Sequence, residues 1–175
     1  MKLKNTLTEY GAISKIFHWI SAAVLIIQIP LGMYLVDMDF SEKRLTIENI
    51  HVAVGISIFY LTILRLIYKT FNPTPNLNNS IFPGQRIIAK LNHVFLYISI
   101  LIITISGALK KLYNGEELNM FFFNITIQDN FDLAEIFYEI HILGNYTLIA
   151  LISLHIFAVI IHKILFKENL LKKIL

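Results

Sequence analysis

The sequence contains no cysteine, and this absence excludes several kinds of chemistry. No disulfide can form, no iron–sulfur cluster can be held by cysteine thiolates, and no haem can be attached through the thioether bonds of a c-type cytochrome. The sequence also lacks internal repeats, a glycine-rich phosphate loop, and a Ser/His/Asp arrangement with the spacing of a nucleophilic site. Common nucleotide-binding and hydrolytic functions are therefore not indicated.

Charge is scarce as well, at 15% of residues, whereas 56% of the 175 residues are hydrophobic and the mean hydropathy is +0.65. Four largely apolar runs, at about 13–36, 50–70, 87–109 and 138–166, are each long enough to cross a hydrocarbon core of ~30 Å. We therefore predict a single all-α transmembrane domain over residues 1–175, an integral membrane four-helix bundle with no separate soluble domain. The predicted helices cover about 11–36, 48–70, 86–111 and 134–166, and the first is a retained span rather than a signal peptide.

The basic residues are distributed unequally between the two sides of this bundle. Eleven of the 15 fall on the side of the two termini and the middle loop, and the acids lie mostly opposite. The positive-inside rule then predicts that both termini are cytoplasmic. This topology explains the net charge of +3, so we expect membrane lipid and no nucleic acid as a partner.

The last apolar run carries three histidines, His141, His155 and His162. Ionisable side chains inside a membrane span are costly and usually mark a functional site. The first two are 14 residues apart, which is close to four helical turns, so both rings lie on one face and about 21 Å apart along the axis. One helix therefore offers imidazoles at two depths, and each requires a second ligand from another helix.

Histidines at the ends of other helices supply these second ligands. His51 begins helix 2 on the outer side with His141, and His18 begins helix 1 on the inner side, toward which His155 lies. Two neutral imidazoles from facing helices suit six-coordinate haem iron, and two irons about 20 Å apart would conduct electrons across the membrane. His162 lies nearer the inner edge and is the rival partner of His18. We favour His155 because it lies well inside the apolar run, which leaves His162 as an interfacial residue or one that binds or protonates a quinone.

Other residues are candidates for contacts with the macrocycle and its carboxylate propionates. Arg65 lies 14 residues after His51 and is placed for an inner propionate, although an arginine snorkelling to the headgroups is the alternative. Lys15 and His93 are further propionate candidates. Gly55, one turn from His51, would let a flat macrocycle approach the backbone or would let two helices pack closely.

Glycines repeat the same interval of 14 residues on two helices. Gly32 follows His18 on helix 1, and Gly107 follows His93 on helix 3. A repeated step on every helix fits two layers of sites in one bundle. Trp19, beside His18, fits an aromatic anchor at the membrane interface.

Several segments together carry a family resemblance. SKIFHW begins helix 1, NIHVAVGISIFYLTILRL forms helix 2 with NPTP after it, and HILGNY precedes a second histidine and the closing HKILFKENLL. In this order they resemble the bacterial cytochrome b561 family over nearly the whole chain. The resemblance implies a four-helix dihaem cytochrome of the inner membrane that passes electrons between the periplasmic face and the quinone pool. It implies that His18, His51, His141 and His155 are the axial ligands of two haem b groups.

The function expected first is electron transfer from a small periplasmic donor to ubiquinone, an oxidoreductase role without a soluble protein partner. Some family members take electrons from superoxide, which requires positive charge at the outer face, and Lys43, Arg44, Lys110 and Lys111 are the candidates for such a basic patch. Two alternatives remain open. One is a haem-bearing membrane anchor of a larger dehydrogenase or hydrogenase, and the other is a divalent-metal transporter that uses the histidines as a relay.

Overall fold

Four long helices form the framework of the computed structural model, which describes residues 2–75, 84–165, 167 and 169–175. Each is long and apolar enough to cross a membrane. The elements are α1 (Ala12–Val36), α2 (Glu42–Thr70), α3 (Gln85–Tyr113), β1 (Leu118–Asn119), β2 (Asn124–Ile125), α4 (Phe131–Ile164) and α5 (Leu171–Ile174). The protein is therefore the mostly helical four-span bundle that the hydropathy predicts.

Two helices begin earlier than the hydropathy indicates. Helix α2 starts at Glu42 rather than near 48, because the Ser41 side chain accepts a hydrogen bond from the Arg44 N–H and Glu42 lies in the first turn, where the helix dipole favours an acid. Helix α4 starts at 131 rather than 134, with Asn130 as its cap. The other ends lie within two residues of the expected positions.

Parts of the sequence that carried expectations lie outside the described residues. These are positions 76–83 of the loop between helices 2 and 3, which was counted with the cytoplasmic side, together with Phe166 and Glu168 of the closing HKILFKENLL segment.

The helices pack as two pairs that are joined by contacts between one helix of each pair. Helix α3 makes its most extensive contacts with α4, α1 packs on α2, and α2 joins the two pairs through α3. Ile58, Ile100 and Leu148 form a buried cluster between the helices. By contrast Ile26 and Ile27, in mid-helix, are 72% and 68% exposed. Fully apolar side chains exposed at that depth are what a lipid-facing surface requires.

The connection between α3 and α4 forms a short hairpin. β1 and β2 pair antiparallel, with Leu118 opposite Ile125. Leu118 is only 1% exposed and packs with Ile56 and Leu112. The Tyr60 hydroxyl donates to the carbonyl of Met120 at 3.2 Å. The hairpin is thereby fixed to the side of α2 and α3, at the end of the bundle opposite the two termini.

The opposite end of the bundle holds both termini. The indole Nε1 of Trp19 in α1 donates to the carbonyl oxygen of Ile174 in α5 at 3.0 Å. The short C-terminal helix is therefore tied to the first turns of α1, and the two chain ends lie on the same side.

Candidate functional site

The first group of candidate side chains lies toward the end of the bundle opposite the termini, which the charge distribution predicts to be the outer end. His51 of α2 and His141 of α4 face each other with ring centroids 6.2 Å apart. Nδ1 of His141 lies 2.8 Å from the carbonyl oxygen of Ile103. Because a carbonyl only accepts, this nitrogen carries the proton, and Nε2 keeps a lone pair. His141 is thus held in the tautomer that a metal ligand requires.

Glycines press against both rings of this outer pair. A Cβ added to Gly32 of α1 would lie 2.9 Å from the His51 ring, and one added to Gly107 of α3 would lie 2.9 Å from the His141 ring. Real Cβ contacts are not this close, so only glycine lets the rings take these positions. The glycines placed by the 14-residue interval therefore form the walls of the outer site.

Gln28 is a residue that the sequence reasoning missed. It lies in the middle of α1, is 8% exposed, and donates from Nε2 to the carbonyl of His51 at 2.8 Å. A Cβ on Gly55 would be 3.7 Å from the same Nε2, so Gly55 lies against this amide. The available signal was a single amide within the apolar run of helix 1, since buried amides in membrane spans pair with neighbouring groups.

The second group lies toward the end that holds the termini. His18 of α1 and His155 of α4 have ring centroids 6.3 Å apart. His93 of α3 is also present, with its ring 5.1 Å from that of His155. Three helices therefore place imidazoles in one inner cluster, and helix α4 contributes to both the inner and the outer group.

Arg65 joins the inner cluster from α2. Its Nη2 lies 3.2 Å from Nδ1 of His18, and its guanidinium lies over the Tyr97 ring at 5.3 Å, next to Lys69 at 5.0 Å. A guanidinium only donates, so Nδ1 of His18 accepts and the proton is on Nε2. A metal bound at Nε2 requires the other tautomer, so the contact with Arg65 and such ligation exclude each other. Ligation would end this contact and leave the guanidinium able to pair with an anion.

The geometry of both pairs fits a six-coordinate metal centre. With metal–nitrogen bonds of about 2 Å, two imidazoles on opposite sides of one ion have ring centres roughly 6 Å apart. The two centroid distances, 6.2 and 6.3 Å, match this value. Within the described ranges, no group of three or more His, Cys, Asp or Glu side chains is placed to hold a metal ion on its own. Two histidines for each ion therefore suit a metal whose other ligands come from a macrocycle.

Two other predicted residues lie elsewhere. Lys15 lines a cavity at the end of the bundle with residues from both termini. His162 lies at the inner end of α4 with its Nε2 2.5 Å from Nε2 of Gln85, at the start of α3. The structure thus brings His155 beside His18 and places His162 next to a different helix end.

The outer cations are mostly engaged by neighbours. Lys110 pairs with Glu48 at 3.0 Å, and Lys111 pairs with Glu116 at 2.5 Å. The Arg44 side chain donates to a main-chain carbonyl. Two of the four cations that the sequence offers at this end are therefore paired with carboxylates, whereas the hydrogen bond of Arg44 to a neutral carbonyl leaves its charge in place.

Comparison with known proteins decides the family. The sequence model of a family described as prokaryotic cytochrome b561 matches residues 9–175. The chain belongs to the prokaryotic cytochrome b561 family. It is 27% identical over 179 residues to cytochrome b561 homolog 2 of Escherichia coli strain K12, with 100% of this chain and 95% of that protein covered. This cytochrome is accordingly a multi-pass bacterial membrane protein that binds haem b and takes part in electron transfer.

Proposed function

We propose that this cytochrome is a dihaem protein of the inner membrane that exchanges electrons between a small periplasmic donor and ubiquinone. The observation that carries the proposal is the pair of facing histidine couples, at 6.2 and 6.3 Å, with one member of each supplied by α4. A single iron centre would need only one of these couples. The family relationship supports haem b as the group they hold.

His51 and His141 are the proposed axial ligands of the outer haem, and His18 and His155 those of the inner haem. A haem iron held by both imidazoles as well as by its porphyrin would have no open position, and it would supply one-electron exchange between the ferric and ferrous states. The protein holds the ligand rings in place and excludes water with apolar helices. The hydrogen bond from His141 to the Ile103 carbonyl fixes one of these rings before haem binds.

At the inner site, Arg65 and His93 are the proposed partners of the propionates. Arg65 lies at the His18 ring and is held over Tyr97. If Nε2 of His18 binds the iron, Nδ1 carries the proton and no longer accepts a hydrogen bond from Arg65. The guanidinium is then available to pair with a propionate. A guanidinium there balances a carboxylate and stabilises the reduced, more electron-rich state.

The two sites are spaced to cross most of the membrane. His141 and His155 are 14 residues apart on one continuous helix, which is about 21 Å along the axis. The hydrocarbon core is ~30 Å thick. With haem bound at both sites, an electron accepted at the outer site would therefore reach the level of the inner headgroups. His162 and Gln85 offer hydrogen-bonding groups for a quinone there.

The charges at the outer end limit which electron donors are suitable. An anion such as superoxide would need an accessible basic patch, and Lys110 and Lys111 are already paired with Glu48 and Glu116. Ion pairing leaves little net field to steer an anion. We therefore propose a small periplasmic reductant as the donor and do not specify superoxide.

Counting haem and following quinone reduction would test this function. The purified protein should contain two haem b per chain, and its reduced-minus-oxidised spectrum should titrate as two one-electron components. In vesicles that contain ubiquinone, a membrane-impermeant reductant on the outer face should reduce both haems and then form quinol. One haem per chain, or haem reduction without any quinol, would contradict the proposal.

The orientation has its own test. The 11-to-4 division of basic residues supports cytoplasmic termini under the positive-inside rule. A reporter that is active only in the cytoplasm should be active when it is fused to either end. A periplasmic C-terminus would exchange the outer and inner sites.

A further inference from the structure

The two rings of the outer histidine pair differ in their hydrogen bonding. Nδ1 of His141 donates to the carbonyl oxygen of Ile103 at 2.8 Å. Nδ1 of His51 is also buried, but among the described residues it has no hydrogen-bond partner. A histidine that binds a metal through one ring nitrogen almost always donates its other ring N–H to an acceptor. If both rings are ligands, as the proposed function requires, His51 needs an acceptor as well.

Gln28 of α1 carries an oxygen that can serve as this acceptor. The residue is 8% exposed, and its Oε1 is buried with no hydrogen-bond partner in the part of the chain that the structure describes. An unpaired carbonyl oxygen in such a place is destabilising, because burial has removed its water and supplied no donor. The amide oxygen therefore needs a donor as much as the ring of His51 needs an acceptor.

Contacts from two helices hold the Gln28 amide at His51. Its Nε2 donates to the main-chain carbonyl of His51 at 2.8 Å. Gly32 lies one turn after Gln28 on the same face of α1, and a Cβ added there would be 3.7 Å from Nδ1 of His51. Gly55 borders the amide from α2. The face of α1 that carries Gln28 therefore contacts both the main chain and the ring of His51.

The chemistry of the contact fixes which end of the amide is left over. A main-chain carbonyl only accepts hydrogen bonds, so the amide atom that faces it is the nitrogen. The oxygen is then the end that remains for a donor. The Nδ1 proton of His51 is such a donor when Nε2 of that ring is a ligand.

We propose that Gln28 is a positioning residue for His51, with Oε1 accepting the Nδ1 proton of the ring when Nε2 is a ligand. One amide then holds the main chain and the ring of the same residue. Such a hydrogen bond makes the imidazole a more basic ligand, which favours the ferric state at the outer site. If Gln28 only packed α1 against α2, it would not alter this balance.

Redox titration of the haem-loaded variant Gln28→Met tests the proposal. Methionine is unbranched like glutamine and is only a weak acceptor, so His51 becomes a less basic ligand. The outer potential should rise by about 59 mV, which is a tenfold shift of a one-electron equilibrium toward the ferrous state. The inner potential should not change. Two haems with an unchanged outer potential would overturn the proposal and leave Gln28 a packing residue.

Gln28→Glu separates the acceptor from the packing. Glutamate has a similar shape and keeps an acceptor oxygen, and a neutral acid there would reproduce both hydrogen bonds. This variant should keep both haems, with an outer potential at or below that of the wild type. An outer potential above the wild type, or loss of the outer haem from Gln28→Glu, would overturn the proposal whatever Gln28→Met does.

Asn92→Leu is the matched control for the loss of a buried amide. Asn92 is also 8% exposed, and its Oδ1 has no hydrogen-bond partner within the described ranges, but it lies on α3 beside His93. Its outer potential should equal that of the wild type. An equal rise in Asn92→Leu and Gln28→Met would show that the contact with His51 is not the cause, and would overturn the proposal.

His51→Ala distinguishes failure of this proposal from failure of the proposed function. If His51→Ala keeps two haems, His51 is not a ligand and both proposals fail. If His51→Ala loses the outer haem while Gln28→Met leaves the outer potential unchanged, only the role of Gln28 is contradicted.

Discussion

The outer and inner histidine pairs have nearly the same ring separation and very different surroundings. Around the outer pair, glycines touch both rings, and one ring is fixed by a hydrogen bond to the Ile103 carbonyl. The nearby lysines are paired with acids. Around the inner pair lie a third imidazole, His93, and the cations Arg65 and Lys69 over one tyrosine ring.

This difference indicates that different interactions determine haem binding and potential at the two sites. The outer site depends on close steric fit, because a single added carbon would collide with a ligand ring. The inner site depends on charge, because Arg65 stands at hydrogen-bonding distance from His18. Changes of shape should therefore act on the outer haem, and changes of charge should act on the inner haem.

The largest effect is expected from Gly107→Ala. The new Cβ would lie 2.9 Å from Cε1 and Nδ1 of His141, so the ring must move and its hydrogen bond to Ile103 is strained. We expect the outer haem to be largely lost while the inner haem remains, which halves the haem per chain. Pyridine haemochrome assay against protein concentration gives this ratio.

Gly55→Ala is the matched control for that change. Its Cβ would meet Gln28 Nε2 at an ordinary 3.7 Å, so both haems should stay bound. If Gly107→Ala keeps both haems, the glycine wall does not determine the outer site. If the inner haem is the one lost, the assignment of layers is wrong.

A smaller effect is expected from Arg65→Gln. Both haems should remain, and the inner potential should fall by about 60 mV, which corresponds to a tenfold change in a one-electron equilibrium. The reason is that a nearby positive charge stabilises the reduced state. Redox titration followed by the haem absorbance resolves the two components.

Arg65→Lys keeps the charge and should retain most of the inner potential. Two unchanged potentials in Arg65→Gln would return this residue to a headgroup-snorkelling role. An equal shift of both potentials would show that its field is not confined to the inner site.

The smallest effect concerns the outer ion pair of Lys111 with Glu116. Burial raises the pKa of Glu116, but hydrogen bonds from Lys111 and Asn114 outweigh it and leave the pKa below its usual value. A lowered folded-state pKa adds stability above the unfolded value of about 4.3, and this stability is lost as the pH falls through the folded pKa. Since the pair is partly exposed, the contribution is below about 1 kcal/mol.

Melting curves at pH 7 and below pH 4 would measure this contribution. Glu116→Gln should lower Tm at pH 7 by at most about 3 °C and should show a smaller difference from wild type in acid. Glu117→Gln, at the neighbouring position, is the control and should match wild type at both pH values. A Tm difference for Glu116→Gln that persists unchanged in acid would show that the charge pair is not its cause.

Much of the framework could be predicted because long apolar runs and the 14-residue interval are strong signals in a membrane protein. The interval places His141 and His155 on one face whatever the neighbouring helices do. The interval also identified Gly32 and Gly107. Their contacts with the outer pair, His51 and His141, depend on how the helices pack.

Other features could not be read from hydropathy. The early start of α2 at Glu42 comes from a side-chain cap, which hydropathy does not detect. The ion pair of Lys110 with Glu48 joins residues 62 apart in sequence, so the pairing of this cation appears only in three dimensions. The same is true of Gln28, whose partner is a backbone carbonyl on another helix.

Haem content across a histidine panel tests the two-layer pairing most directly. Replacing both His51 and His141 with Ala should leave one haem per chain, and so should replacing both His18 and His155. Replacing one member of each pair should leave none, because partners on one metal are non-additive whereas separate sites are independent. His162→Ala is the control and should retain two. Loss of the inner haem in His162→Ala, with its retention in His155→Ala, would contradict the account.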